Sequence, residues 1–305
     1  MIVRWGLDEL PDVLRGRRTF LLATSRWEEP VRVVGRWSEL PTDEPVDVGD
    51  AELLLAVGGG STIDTAKRVS NETELPLVSI PTTYSGAEWT QFYGVRDAHR
   101  RRVGGGGGAN LEGIVYDVGL TLDLPRDVTA GTALNALAHC CEALYVRGHD
   151  RAGDELALNG ADEIDDALPR VLEVGRDVDA RTRLLIGAAH AGHALALNGL
   201  ALGHALAQVI GGRYGIAHGA LNAVCLPAAL RFNEAFVPNE LLGGRAAERA
   251  EELARLAGFD SLRRLAVPES DLPALAEESA NVPAARNNPR PVTAEQALEL
   301  LHSVY

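Results

Sequence analysis

The chain of 305 residues is long enough for about two domains, and its composition of 46% apolar and 24% charged residues is ordinary for a globular protein. A formal net charge of −14 excludes a nucleic-acid partner, because binding a phosphate backbone depends on excess Lys and Arg. The three cysteines have neither the spacing of a disulfide framework nor a CxxC motif typical of zinc sites: they are Cys140, Cys141 and Cys225. We therefore expect buried packing thiols and a reducing, cytoplasmic location.

The sequence predicts no membrane association. Its start, "MIVRWGLDEL", lacks the basic and apolar segments of a secretory signal. The longest stretch without a formal charge, 191–212, is long enough to span a bilayer, but it contains two His, an Asn, a Gln and five Gly. Polar groups are costly in lipid, so we interpret this stretch as a buried helix of a globular core.

Continuous apolar segments in the first half predict a parallel sheet. Several end in Gly, Thr or Ser, which would place ligand-binding groups at the carboxyl edge of that sheet. Only six residues, "SRWEEP", join the first two segments, which leaves no room for a full helix, and a short acidic stretch, 38–52, joins the next. The predicted strands are 17–24, 31–37, 52–57 and 75–80.

From Asp127 onward the pattern changes to Ala- and Leu-rich helical periods with no convincing strand. The expected fold is therefore an α/β domain with a parallel sheet over residues 1–126, followed by an all-α domain over 127–305. One low-complexity segment, 100–113, carries five consecutive glycines after Arg100, Arg101 and Arg102. Such a run cannot hold a helix or a strand interior, so we predict a mobile surface loop. The alternatives are a phosphate-cradling role of the glycines and contact of the flanking arginines with an acidic ligand.

The strongest local signal is "AVGGGSTIDTAK", residues 56–67. A buried strand turns through three glycines onto a helix N-terminus, where free N–H groups and the helix dipole favour a pyrophosphate. A tight turn with Ser61 as a plain N-cap is the alternative, and Lys67 lies too far along the helix for a P-loop. The next strand leads into "PTTYSGAEWT", 81–90, whose hydroxyls suit phosphate, ribose or nicotinamide contacts, or a local turn network.

Three histidines of the helical half stand in suggestive positions. Asn135 and His139 are four apart, which places both on one face of a helix. His204 and His218 are separated by a Gly-Gly pair, and a chain reversal there would bring them together. Three imidazoles with one open position form a workable transition-metal site. Each histidine taken alone is more often a hydrogen-bonded core residue.

These motifs, together with "IVYDVGLTLDLP" and the tail "NNPRPVTAEQALELLHSVY", resemble the iron-containing alcohol dehydrogenase superfamily, and within it the maleylacetate reductase branch. The resemblance runs in order from Gly58 to the end of the chain. It implies a domain that binds NAD or NADP, a helical domain, an active site in the cleft between them, and a homodimer. The residues that it implies for dinucleotide binding are Gly58, Gly59, Gly60, Ser61, Thr82, Thr83 and Ser85.

The same resemblance places His139, His204 and His218 on the three His positions of the metal-bearing members, with Fe²⁺ or Zn²⁺ as the candidate metal. Asn135 stands where those members have Asp. A neutral amide is a weaker ligand than a carboxylate, so we expect metal binding at Asn135 and the three histidines to be weakened or lost. Gln208 stands where many members have a further His, and Gln cannot shuttle a proton near neutral pH. His139, His204, His218, Gln208 and Tyr84 are the candidate catalytic residues.

The resulting hypothesis is an NAD(P)-dependent oxidoreductase that interconverts a hydroxyl and a carbonyl group on a carboxylate-bearing substrate, either a small molecule or a peptide. The shortened links between the first strands suggest an alternative, a biosynthetic dehydrogenase that oxidatively decarboxylates a C-terminal Thr of a ribosomal peptide, as in daptide-type pathways. Under any hypothesis with a bound dinucleotide, Arg26, just after the first predicted strand, would lie near the adenosine ribose and favour a 2′-phosphate. A non-catalytic scaffold that kept the fold is the third hypothesis.

Overall fold

The computed structural model describes residues 1–29, 31–99 and 101–305. The chain divides into two compact units, Met1–Leu124 and Pro125–Tyr305, here called unit 1 and unit 2. In the part of the chain that is described, no single helix is long and apolar enough to cross a membrane; one consecutive pair, Val178–Asn198 and Leu202–Tyr214, passes that test jointly but is bent by 100°.

Unit 1 is built on a six-stranded sheet in the order β1-β8-β5-β4-β2-β3, with every neighbouring pair parallel. The predicted parallel α/β fold is therefore confirmed. The strands are β1 (Ile2–Trp5), β2 (Thr19–Ala23), β3 (Gly35–Trp37), β4 (Leu53–Gly58), β5 (Leu77–Pro81), β6 (Tyr93–Arg96), β7 (Arg102–Gly106) and β8 (Leu111–Tyr116), and the α-helices are α1 (Leu10–Leu14) and α2 (Gly60–Thr73).

The central strands are buried on both faces, which explains their continuous apolar sequences. Successive residues of β4 alternate between two cores: Leu55 packs in the core that includes α1, and Leu54 packs with Ile63 and Val69 of α2. This arrangement holds β4 and α2 rigidly on either side of the glycine turn that joins them.

The links around β2 and β3 lack a helix in the residues that are described, as the short spacing predicts. Arginine side chains satisfy backbone carbonyls that a helix would otherwise pair internally. Arg36 donates to the carbonyls of Thr24 (2.8 Å) and Trp27 (2.7 Å), and Arg68 of α2 donates to the carbonyl of Glu44 (2.6 Å). Each link is thus held by one guanidinium.

The second predicted strand, 31–37, is too long. Only Gly35–Trp37 forms a strand, at the edge of the sheet beside β2. Val31 and Val33 instead pack against the core on the α1 side of the sheet, so their apolar character reflects packing rather than strand pairing.

The prediction of a mobile loop over 100–113 is wrong for most of that segment. Arg102–Gly106 forms an exposed strand paired antiparallel with β6, and Leu111–Tyr116 forms β8 in the main sheet. Glycine is accommodated because aromatic rings cover the strand: a Cβ on Gly106 would lie 2.6 Å from the Tyr93 hydroxyl oxygen. Arg100, one of the three arginines proposed to contact an acidic ligand, lies outside the described residues.

Unit 2 is entirely helical, as predicted for the second half of the chain. Side-chain caps define several helix starts, among them Asp177, which accepts from the Ala180 N–H, and a Thr293–Gln296 capping box. The α-helices are α3 (Arg126–Ala143), α4 (Arg151–Glu173), α5 (Val178–Asn198), α6 (Leu202–Tyr214), α7 (His218–Phe232), α8 (Ala246–Ala257), α9 (Leu272–Asn281), α10 (Pro283–Arg286) and α11 (Ala294–Ser303).

Two predicted boundaries in unit 2 are corrected. The uncharged stretch 191–212 is buried over much of its length, but it is not one helix: α5 ends at Asn198 and Gly199 takes a φ of 94° before α6 begins. The Gly-Gly pair at 211–212 lies inside α6, and the reversal before His218 occurs at Gly215, which adopts the left-handed conformation (φ 68°) that ends helices.

The cysteines are buried thiols, as expected. Burial raises the pKa of Cys140 and Cys141 and, with the negative charge of Glu142 adding to it, raises the pKa of Cys225 to about 12. A thiol with a raised pKa is a poor nucleophile, so these residues pack and do not react.

Helices α3 and α7 approach each other at backbone distance. A Cβ on Gly219 of α7 would lie 2.1 Å from the carbonyl oxygen of Gly131 of α3. This contact sets the spacing of the two helices that carry Asn135, His139 and His218.

We expect Gly219→Ala to lower the free energy of unfolding by about 1–3 kcal/mol, because the backbone of α3 would have to move to admit the methyl group. Gly212→Ala is the matched control: it also lies in a helix, its Cβ would meet nothing within 4 Å, and alanine there should stabilise by roughly 0.5–1 kcal/mol. Urea unfolding of both variants tests this, and equal stabilities would contradict the close contact.

Candidate functional site

The glycine turn of unit 1 joins the carboxyl end of β4 to the start of α2. Gly58 ends the strand, Gly59 is the extended N-cap, and Gly60 begins the helix. The first N–H groups of a helix have no intrahelical acceptor, so this turn offers donors to an anion. Ser61 is the second residue of α2 and not its N-cap; its carbonyl accepts from the Thr65 hydroxyl (3.1 Å).

The second predicted binding segment lies directly against this turn. A Cβ on Gly59 would be 2.8 Å from Thr83 Cγ2, and one on Gly60 would be 3.2 Å from Ser85 Oγ. The Thr82 N–H also donates to the Gly58 carbonyl (3.0 Å). Side chains at these glycines would separate the two segments, so the GGGS spacing is a requirement of close packing as well as of ligand approach.

Two hydroxyls beside the turn are buried without a partner. The side-chain oxygens of Thr82 and Thr83 have no hydrogen-bond partner among the described residues. Buried polar atoms are nearly always paired, so these two call for an explanation, and a bound ligand with polar groups provides one. Tyr84 is fully buried in unit 1, and Ser85 Oγ accepts from the Ala87 N–H at 3.5 Å.

Lys67, the last residue of the glycine-turn motif, holds the second segment in place. Its ammonium is buried, pairs with Asp64 (2.8 Å), and donates to the carbonyls of Ala87 (2.9 Å) and Phe92 (2.5 Å). Spacing alone excluded a P-loop role for this lysine, but it could not reveal the partners, which lie 20 and 25 residues further along the chain.

The three histidines of unit 2 come together from three helices. The rings of His139 on α3 and His204 on α6 are stacked with centroids 4.8 Å apart, and the centroid of His218, at the start of α7, lies 5.6 Å from that of His204. His139 and His204 are buried. Gln208 lies one turn after His204 on α6 and is half-buried. We call His139, His204 and His218 the histidine cluster.

Two asparagine amides bind the histidine cluster. Asn222 Nδ2 donates to Asn135 Oδ1 (2.6 Å) and to His218 Nε2 (3.0 Å), while Asn135 Nδ2 lies 3.3 Å from His139 Nε2. Asn222 is one helical turn after His218 on α7, so the two share a helix face. Sequence reasoning missed Asn222, although this spacing repeats that of Asn135 and His139.

These residues do not fit a divalent metal ion. The Nε2 lone pairs of His139 and His218, which would ligate a metal, accept N–H donors from the amides. Asn135 supplies no negative charge, and its carbonyl oxygen is occupied by Asn222. Over the described residues, no group of three or more His, Cys, Asp or Glu side chains is arranged to hold a metal. Hydrogen bonds occupy the atoms that a cation would require.

Burial lowers the pKa of His139 well below its usual value, and the neighbouring His204 and His218 lower it further. His139 is therefore uncharged in the native protein at neutral pH.

Arg26, which follows β2 in unit 1, lies over the ring of its neighbour Trp27, 4.8 Å from the centroid.

The fold is a parallel sheet with a glycine turn, followed by a helical unit with clustered histidines, and sequence comparison identifies its family. Residues 30–107 match the model for iron-containing alcohol dehydrogenases, and residues 129–305 match the C-terminal model of the Fe-containing alcohol dehydrogenase family. The chain belongs to this family and is an oxidoreductase.

Its relatives include maleylacetate reductases. Maleylacetate reductase 1 of Cupriavidus pinatubonensis is 34% identical over 291 residues, which cover 88% of this chain and 80% of that protein. The maleylacetate reductase of Burkholderia cepacia is 34% identical over 270 residues, which cover 84% of this chain and 74% of that protein.

Solved structures agree with the fold. Maleylacetate reductase from Rhizobium sp. strain MTP-10005 has a TM-score of 0.89 at 30% identity, and the enzyme from Agrobacterium tumefaciens has a TM-score of 0.88 at 29% identity. Both comparisons cover 100% of this chain and 95% of the other.

We expect Asn135→Asp to strengthen metal binding, even though Asn222 still donates to His218 Nε2. The carboxylate would add the missing charge and release His139 Nε2 from its amide donor, so affinity for Fe²⁺ or Zn²⁺ should rise at least about 10-fold over the wild type. Metal content after dialysis against each ion measures this. Asn288→Asp is the control, because Asn288 is a buried asparagine paired with Asn233 (2.9 Å); equal metal content in the two variants would contradict the prediction.

The neutral state of His139 predicts a pH dependence of stability. Its pKa is lower in the native protein than in the unfolded chain, where it is about 6.5, so below that pH the unfolded chain binds more protons. The stabilisation is complete above pH 6.5 and is lost as pH falls toward the native pKa. His139→Gln should remove up to about 1.4 kcal/mol per pH unit from the slope of unfolding free energy between pH 7 and 5.

Urea unfolding of wild type and His139→Gln at several pH values tests this. Burial also lowers the pKa of His190 and His193 and raises that of Glu88, and the difference between the two proteins cancels these contributions. Identical slopes would mean that His139 titrates normally in the native state.

Proposed function

We propose that this protein is an NAD(P)-dependent oxidoreductase that interconverts a hydroxyl and a carbonyl group on a carboxylate-bearing substrate. The observation that carries the proposal is His204 Nε2, a ring nitrogen within the histidine cluster that is buried and has no partner in the described part of the chain. A buried ring nitrogen without a hydrogen-bond partner is suited to pair with a hydroxyl or carbonyl oxygen of a substrate.

The glycine turn of unit 1 supports the dinucleotide part of the proposal. N–H groups at the start of α2 would donate hydrogen bonds to the pyrophosphate. The unpartnered hydroxyls of Thr82 and Thr83 would form hydrogen bonds with the remaining polar groups of the cofactor. The nicotinamide supplies the hydride chemistry at C4 when it is bound. The protein must supply the proton.

His204 is the residue suited to move that proton. In oxidation, its Nε2 accepts the hydroxyl proton as the carbon gives up its hydride; in reduction, the protonated ring returns the proton to the carbonyl oxygen. Glu142 pairs with His204 Nδ1 at 2.8 Å and stabilises the charged ring. His139 stays neutral beside it because burial lowers its pKa, which avoids a second charge in the cluster.

The amides of Asn135 and Asn222 donate to His139 Nε2 and His218 Nε2, the ring nitrogens that a metal would need. The proposed reaction therefore uses no metal. Hydrogen bonds from protein groups, and not a cation, stabilise the developing charge on the substrate oxygen.

The relatives favour maleylacetate as the first substrate to test. Purified protein, with no added metal, should oxidise NADH or NADPH when maleylacetate is added, and a chelator should leave the rate unchanged. His204→Gln should lower kcat by about 10²-fold or more while dinucleotide binding persists. His302→Gln, at an exposed position on α11, is the control and should keep full activity. Failure to bind NADH and NADPH would overturn the proposal and favour the scaffold hypothesis.

One observation keeps the peptide substrate as a second candidate: the described residues between β2 and β3 contain no helix, which leaves the adenosine side of a Rossmann-type site reduced. Oxidation of a C-terminal Thr gives a β-keto acid that loses CO₂. A peptide ending in Thr, incubated with NAD⁺ or NADP⁺, would then lose the mass of H₂ plus CO₂ in mass spectrometry, and an unchanged mass would exclude this substrate class.

A further inference from the structure

Glu142 is a fully buried carboxylate in the helical unit, one turn after His139 on α3. It accepts four N–H donors. Oε1 receives the backbone N–H groups of Gly203 (2.5 Å) and His204 (3.2 Å), and Oε2 receives the Ala201 N–H (2.7 Å) and lies 2.8 Å from His204 Nδ1. A buried charge is tolerated only when it is paired and hydrogen-bonded to this degree.

The local sequence is suited to this contact. Helix α5 ends at Asn198 and α6 begins at Leu202. Ala201, the N-cap of α6, has no side chain able to cap the helix. Glu142 caps it from another helix, and the helix dipole favours the negative charge. A Cβ on Gly203 would lie 2.8 Å from Glu142 Oε1, so glycine is required for the carboxylate to reach the backbone.

The contact also determines where the proton sits on His204. A carboxylate only accepts hydrogen bonds, so the short contact requires the hydrogen on Nδ1. In the neutral ring Nε2 then carries a lone pair, and this is the nitrogen left without a partner. We propose that Glu142 is a positioning residue that holds His204 in the Nδ1–H tautomer and so presents Nε2 as the acceptor for the substrate hydroxyl. This inference rests on the proposed role of His204 in catalysis.

Glu142→Gln tests the tautomer directly. Two backbone N–H groups face Oε1 and only that of Ala201 faces Oε2, so the amide oxygen is favoured at Oε1. The amide N–H₂ then takes the Oε2 position, loses the Ala201 hydrogen bond and faces His204 Nδ1. The ring must then accept at Nδ1 and carry its hydrogen on Nε2, where it can no longer accept a proton from a hydroxyl. A buried carboxylate that sets a histidine tautomer in this way affects turnover far more than substrate binding.

The measurement is ¹⁵N NMR of histidine-labelled protein, with the His204 signals assigned by their loss in His204→Gln. We expect the Nδ1–H tautomer in wild type and the Nε2–H tautomer in Glu142→Gln, with kcat lowered about 10²-fold or more and KM little changed. Glu112→Gln is the matched control, because it removes a carboxylate bound to Arg17 in unit 1 (2.8 Å) and should leave the His204 signals unchanged.

The wild-type spectrum keeps the inference testable even if Glu142→Gln does not fold. An Nε2–H tautomer of His204 in wild type would overturn it, as would a folded Glu142→Gln protein with an unchanged tautomer. These readouts need no turnover, so a failure of the proposed function, seen as an absence of NADH and NADPH binding, is distinguishable from a failure of this inference.

Discussion

The helical unit depends on one buried carboxylate. Glu142 extends from α3, caps the start of α6 and pairs with His204, so a single charge joins a helix terminus to a reactive side chain. Because no solvent reaches it, its four N–H donors must offset the full cost of burying the charge. This requirement leaves little freedom in where α6 begins or how His204 is oriented, and the geometry of the histidine cluster follows from it.

Hydrogen bonding also explains how three histidines can pack together. Asn222 and Asn135 form a chain of amides that ends on His218 Nε2 at one side and His139 Nε2 at the other. The amides satisfy His139 Nε2 and His218 Nε2, and they add no charge. The arrangement preserves the shape of a ligand set while directing its lone pairs to N–H groups.

In unit 1, the sequence was sufficient to predict the central strands but not β1 or β7. Continuous apolar runs identified β2, β4 and β5, because strands buried on both faces need no alternation. β1 has only four residues, too few for a reliable pattern. The glycine-rich strand β7 was missed because its stability comes from pairing with β6 and from aromatic rings lying over it, neither of which composition reveals.

The sequence by itself determined the parallel sheet, the helical second half, the glycine turn and the presence of histidines at matching intervals. These features depend on periodicity and backbone conformation, which residues close together in the sequence determine. Only the tertiary structure decided the partners of Lys67, the role of Asn222 and the four N–H donors of Glu142. Most of these contacts join residues that lie 20 to 87 positions apart, and their hydrogen bonds depend on which faces of separate elements meet when the core packs.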